Sequence, residues 1–179
     1  MSLRSDATLE AFAKRIMYNK EIMDIMKLPV LKDTDSEDLI AEKREVLIDK
    51  FITKTAQIPS PLEREYEPKT IDGIEYKEYG KIRIALSFAQ SVKLNHDLFG
   101  KPQVDIIVYY DNTEIANIYK LLDLLSDEFS GQDLKLELDD GKSFIRNIRC
   151  EGQISQTAII NNYERLGLRF SFYATLYKN

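Results

Sequence analysis

The residue types that carry most protein chemistry are scarce here and poorly placed for it. His96 is the only histidine, so any Ser-His-Asp relay would have to pass through it, and no Gly-x-Ser-x-Gly elbow accompanies it. His96 and Asp97 are adjacent in sequence, which does not aim both side chains at one ligand, and a metal site needs three or four convergent donors. Cys150 is the only cysteine, so an intramolecular disulfide and a cysteine-based zinc site are excluded. Beside Ile148 it reads as a buried, inert thiol. The acid-x-Lys pairs Glu75-x-Lys77 and Asp140-x-Lys142 share a spacing with metal-dependent nucleases, but Asp140 is better explained by a turn and no companion acid stands at a convincing distance. The few glycines are single and sit at turns, so there is no phosphate-cradling loop. The expectation is no catalytic residue, no metal and no cofactor.

The elements that would have to position any site are far clearer. Ile82-Ile84-Leu86-Phe88-Val92-Leu94 and Leu166-Leu168-Phe170-Phe172-Ala174-Leu176 place an apolar residue at almost every second position. A period of two belongs to a strand with one face in a core and the other facing water or a partner. Strands are predicted at about 81–94, 103–110, 134–138, 144–152 and 163–177. Asp72-Gly73 and Asp140-Gly141 supply two-residue hairpin turns. Between the second and third strands Asp111 caps a helix, with Glu114 at capping-box spacing, and Ile115, Ile118, Leu121, Leu122, Leu125 and Phe129 form one apolar stripe suited to lie on a sheet.

The first third reads differently. Leu9, Phe12, Ile16, Met17, Met23 and Met26 fall near helical spacing over about 7–27, a stripe for the core or for a partner's groove, and Pro29 stops that helix. Asp33 to Ser36 caps a second helix over about 37–55, giving a helical hairpin. Pro59, Pro61 and Pro68 exclude a regular helix from 57–80, which reads either as an exposed arm whose Tyr66, Tyr76 and Tyr79 meet another subunit or as a solvated linker.

The fold class is therefore α+β: a mainly antiparallel sheet with one amphipathic helix packed on a face (81–179), preceded by the helical hairpin (1–56) and the Pro/Tyr-rich arm (57–80), in one compact unit. A chain of 179 residues suits this, burying roughly 70% of its unfolded surface. The net charge of −5 argues against a duplex-binding surface, which needs a positive excess to displace phosphate counterions. No run approaches the ~20 apolar residues of a membrane span, and no secretion signal opens the chain.

From residue 81 onward the order of elements resembles the tail-terminator and tail-completion (neck) proteins of long-tailed bacteriophages and prophages. The long alternating strand IRIALSFAQSVKLN, the strand VDIIVYY, the helix DNTEIANIYKLLDLLSDEF, a hairpin and the tyrosine-led final strand NYERLGLRFSFYATLYK carry the likeness. The part before residue 80 departs from the minimal version of that family. The resemblance implies a structural protein without enzymatic activity, forming a homo-oligomeric ring, often of six subunits, that meets tail-tube and head-completion proteins. It implies assembly in the host cytoplasm and then a place in the virion tail, with no nucleic-acid specificity and no membrane. Contact surfaces are expected at Tyr66, Tyr76 and Tyr79, at His96, Asp97 and Phe99 in the 95–102 loop, and along the polar row Arg169, Tyr173 and Tyr177. The alternative is a small-molecule- or protein-binding module, and behind it a metal-dependent nuclease.

Overall fold

A computed structural model of the chain describes residues 5–55, 60–62, 65–89, 102–138, 141–155 and 159–176. Alternation of apolar residues in the second half yields strands β4 (Ile82–Phe88), β5 (Gln103–Tyr110), β6 (Leu134–Leu138), β7 (Gly141–Ser155) and β8 (Glu164–Leu176). With the short β1 (Ile52–Thr53) they form a six-stranded sheet in the order β1-β4-β5-β8-β7-β6. All neighbours are antiparallel except β1, which lies parallel to β4 through Ile52↔Ile84 and Thr53↔Ala85. The inner face of the sheet carries Ile82, Ile84, Leu86, Val104, Ile106, Val108, Leu168, Phe170 and Phe172, all buried. The final strand sits mid-sheet between β5 and β7, which is why its apolar alternation is so strict.

The helices are α1 (Ser5–Tyr18), α2 (Lys20–Met26), α3 (Glu37–Lys43), α4 (Asp49–Phe51) and α5 (Ile115–Phe129). The continuous first helix predicted over 7–27 is corrected to two. Asn19 is extended, and its side chain accepts the free amide of Ile22, so it ends α1 and caps α2. Arg15 and Asn19 both donate to Glu128 of α5, which ties the break to the neighbouring helix. The second predicted helix is also cut short. It widens into a π-helical stretch at Arg44–Ile48, stops at Phe51 and continues as β1.

Helix α5 buries its apolar stripe against the inner sheet face, and α1 shares that core with it. The Phe12 ring of α1 stacks on Phe129 of α5 at 4.7 Å and lies 6.3 Å from Phe170 and 6.1 Å from Phe172 of β8. Both helices therefore share one apolar core with the inner sheet face. The capping box predicted before α5 forms only in part. Asp111 accepts from the Thr113 amide at 2.8 Å, but the Glu114 carboxylate turns to Asn117, and Lys27 stands 3.6 Å from it.

The Asp72-Gly73 turn forms as expected, with Ile71 paired to Ile74 and positive φ at both turn residues, joining β2 (Lys69–Ile71) to β3 (Ile74–Tyr76). Leu138 pairs with Gly141 across the second expected hairpin, whose turn at 139–140 lies outside the described residues. Cys150 is half-buried against the core.

Among the described residues one ion pair is buried on both sides. Lys43 Nζ donates to Asp35 Oδ2 at 2.6 Å and to the Val30 carbonyl at 3.0 Å, while Asp35 also accepts the Lys32 amide. The Lys43 bond holds the Asp35 carboxyl below its ordinary range, against the opposing effect of burial. Because the folded value lies below the unfolded one of about 3.9, this contribution to stability is complete above about pH 4 and is lost as pH falls through the folded value. Lys43→Met leaves the carboxylate without its cation and should cost about 2–3 kcal/mol at neutral pH. In urea unfolding the gap between variant and wild type should narrow below about pH 4; a gap independent of pH would show that the pair is not what Lys43 supplies.

Candidate functional site

Two features on the outer face of the sheet could engage another molecule. The first is a cradle around Arg83 of β4. Outward-facing Arg83, paired across strands with Tyr109, has its guanidinium carbon 5.1 Å from the centre of the Phe51 ring and 5.2 Å from that of Tyr163. Its Nη2 donates to the Tyr66 hydroxyl at 2.9 Å, while its Nε is buried with no hydrogen-bond partner among the described residues. Cation–π attraction, about 1–2 kcal/mol for a desolvated cation, offsets part of that loss. Tyr66 and Tyr79 lie 5.1 Å apart and both pack on Phe51.

Tyr163 reaches this position through a local device. Asn161 and Asn162 both adopt positive φ, and Ile160 and Tyr163 exchange backbone hydrogen bonds of 2.8 Å, so the Asn-Asn pair makes a tight turn that lays Tyr163 on the sheet. The Tyr163 hydroxyl donates to the Gly80 carbonyl at 3.2 Å. Burial, with the Tyr66 hydroxyl nearby, holds this phenol well above its usual range despite the opposing Arg83 charge. It is therefore a neutral donor and not a base at physiological pH. A cleft of about 710 Å³ opens beside the cradle, lined by Arg83, Tyr66, Tyr79, Phe51, Lys50 and Lys69 among others. A guanidinium beside two aromatic rings suits a planar anion such as a carboxylate. Among the described residues no group of three or more His, Cys, Asp or Glu could hold a metal ion.

The second feature is the rest of that outer face. Leu62, Ile160 and Tyr163 cover Ala85, Ile107 and Tyr109, but the neighbouring area is more open. There Arg169 makes a bidentate pair with Asp105 on β5 at 2.7 and 2.9 Å, with 41% of its side chain still accessible. Tyr173, 49% exposed, stands opposite Arg146, and Arg149 stands opposite Ser171, whose hydroxyl donates to Glu151. Arg146 and Arg149 are both exposed.

The residues singled out from sequence are thus scattered. Tyr79 is buried and its hydroxyl donates to the Glu67 carbonyl, so the expectation of an exposed side chain there is corrected: its ring is spent on packing within the chain. Tyr66 is half-buried in the same cluster, and Tyr76 is half-buried on β3, where burial and then nearby acids raise its phenol. Arg169 and Tyr173 do share the outer face. His96, Asp97, Phe99 and Tyr177 lie outside the described residues. Glu75 and Lys77 pair with each other at 3.0 Å at the surface. Sequence reasoning missed Arg83, Phe51 and Tyr163. A lone arginine at an outward strand position, and an Asn-Asn dipeptide just before a strand, were the available signals.

No family model matches this chain, and no curated protein matches it. Its function has to be read from the surfaces themselves.

Proposed function

We propose that this chain is a structural assembly subunit of the tail neck of a long-tailed phage or prophage, a ring-forming terminator or completion protein that meets tail-tube and head-completion proteins. The observation that carries the reading is the open half of the outer sheet face. Arg146, Arg149, Arg169 and Tyr173 gather there on a chain whose net charge is −5. Asp105 and Glu151 offset part of that charge on the same face, and further acid stands elsewhere: Glu37, Asp38, Glu42 and Glu45 are exposed along α3 and the π-helical stretch that follows. A basic, tyrosine-bearing face and an acidic ridge on one chain are the two halves of a head-to-tail contact, which closes into a ring when its rotation allows. The element order from β4 to β8 also follows the likeness to tail-neck proteins.

Arg146→Glu/Arg149→Glu should abolish rings seen by electron microscopy. Adding Glu42→Lys/Glu45→Lys to the same chain should recover them, since both sides of the contact are then reversed. Rings indifferent to the arginine changes would refute the contact. A second reading, a small-molecule-binding module, is favoured by the cleft beside Arg83. A chain that stays monomeric and gains thermal stability from a carboxylate-bearing compound would put that reading first.

A further inference from the structure

Arg83 is a half-buried cation with no countercharge among the described residues. Lys43, Arg44 and Arg169 each hold a carboxylate within 3.1 Å. Arg83 instead gives its hydrogen bond to the Tyr66 hydroxyl, and its buried Nε finds no partner among the described residues. A cation withdrawn from water without an anion beside it is unfavourable, and the rings of Phe51 and Tyr163 recover only part of that.

The backbone around this cation is held in uncommon shapes. Gly80 has φ +87° and lets the Tyr66 ring approach, while Asn161 and Asn162 turn at positive φ to place Tyr163. The π-helical stretch Arg44–Ile48 carries Val46 to the adjoining cleft. Strained and π-helical backbone gathers where ligands are clamped, and here three separate segments converge on one guanidinium.

The lining of the cleft defines what fits it. Val46, Phe51, Tyr66 and Tyr79 make an apolar, largely aromatic wall, and about 710 Å³ holds a small organic molecule. Lys50 and Lys69 add positive charge, while Glu65 and Glu67, both exposed, limit it. Two acids in the lining oppose a doubly charged phosphate or dicarboxylate more than a single carboxylate. We propose that this cleft binds an aromatic monocarboxylate, its acid group neutralising Arg83 and its ring lying against the Phe51, Tyr66 and Tyr79 cluster. The proposal rests on the ligand-binding reading above, to which it adds a site and a ligand class, and it involves none of Arg146, Arg149 and Arg169.

Ligand-observed NMR titration of the full chain with naphthoate tests it. The expected wild-type dissociation constant is below about 1 mM. Naphthamide, of nearly the same shape without the charge, should bind about tenfold more weakly or worse, and inorganic phosphate likewise. Arg83→Met should weaken naphthoate binding by about tenfold or more, and Arg83→Lys, which keeps the charge but loses the planar fork, by less. Without ligand, Arg83→Met should unfold at a urea concentration no lower than the wild type, since it removes a cation that lacks an anion. Naphthoate binding that Arg83→Met leaves unchanged would overturn the site while sparing the ligand-binding reading; no binding by the wild type would end both. Equal binding of naphthamide or phosphate would overturn the ligand class, and a large loss of stability in Arg83→Met would make the arginine a packing residue instead.

Discussion

Phe12→Ala should destabilise the protein by about 3–5 kcal/mol, the range for removing a fully buried aromatic ring. Phe12 has no exposed surface, and its ring is stacked within 24° of parallel on Phe129 while also meeting Phe170 and Phe172. One side chain thus joins α1 to α5 and to the central strand β8, and its loss leaves a void at the junction of three elements. For a chain of this size each kcal/mol shifts the unfolding midpoint by roughly 2–4 °C, so a drop of roughly 6–20 °C is expected. Phe12→Leu keeps most of the volume and should cost less than half as much. A loss below about 1 kcal/mol for Phe12→Ala would mean that the first helix is not part of the cooperative core.

Gly80→Ala should cost about 2–4 kcal/mol, far more than its size suggests. Gly80 has φ +87°, and a Cβ there would lie 2.7 Å from two ring carbons of Tyr66 and 3.1 Å from Phe51. The substitution therefore strains the backbone and pushes the tyrosine that accepts from Arg83. Because the Gly80 carbonyl also holds the Tyr163 hydroxyl, both walls of the cradle should shift together. The natural control is Gly73→Ala. Gly73 has a comparable φ of +72° but open space around it, so only the backbone strain, about 1 kcal/mol, should appear. Urea unfolding gives both values, and the tyrosine bands of near-ultraviolet circular dichroism report the cradle, since the chain has no tryptophan. Equal losses at the two glycines would show that the cradle has room to spare.

The legible and illegible parts of this fold divide along a physical line. Strands β4, β5 and β8 and helix α5 announce themselves because one face of each is buried and the other is not, which writes a period into the sequence. The Asp72-Gly73 turn is legible because its backbone demands residues that tolerate positive φ. The break at Asn19 is not, because the apolar stripe continues at helical spacing on both sides and only a cap hydrogen bond interrupts it. The switch from helix to strand at Ile52 is set by pairing with β4, a partner 32 residues away along the chain at Ile84. Local propensity carries no trace of such a contact. The cradle was hidden for the same reason: Phe51, Arg83 and Tyr163 come from three distant segments, and each looks ordinary in its own surroundings. Tyr79 carries the complementary lesson, since an aromatic residue in a segment without a regular helix is as well suited to folding back on its own chain as to meeting another.

On the proposed reading this protein acts by presenting surfaces to copies of itself. Sedimentation equilibrium on wild-type chain and on Arg146→Glu/Arg149→Glu, at matched high concentration and low salt, addresses that most directly. The expected result is a closed multi-subunit species for the wild type and a marked fall in mass for the variant. A wild-type chain that remains at its single-chain mass throughout, or a variant that assembles as well as the wild type, would contradict it.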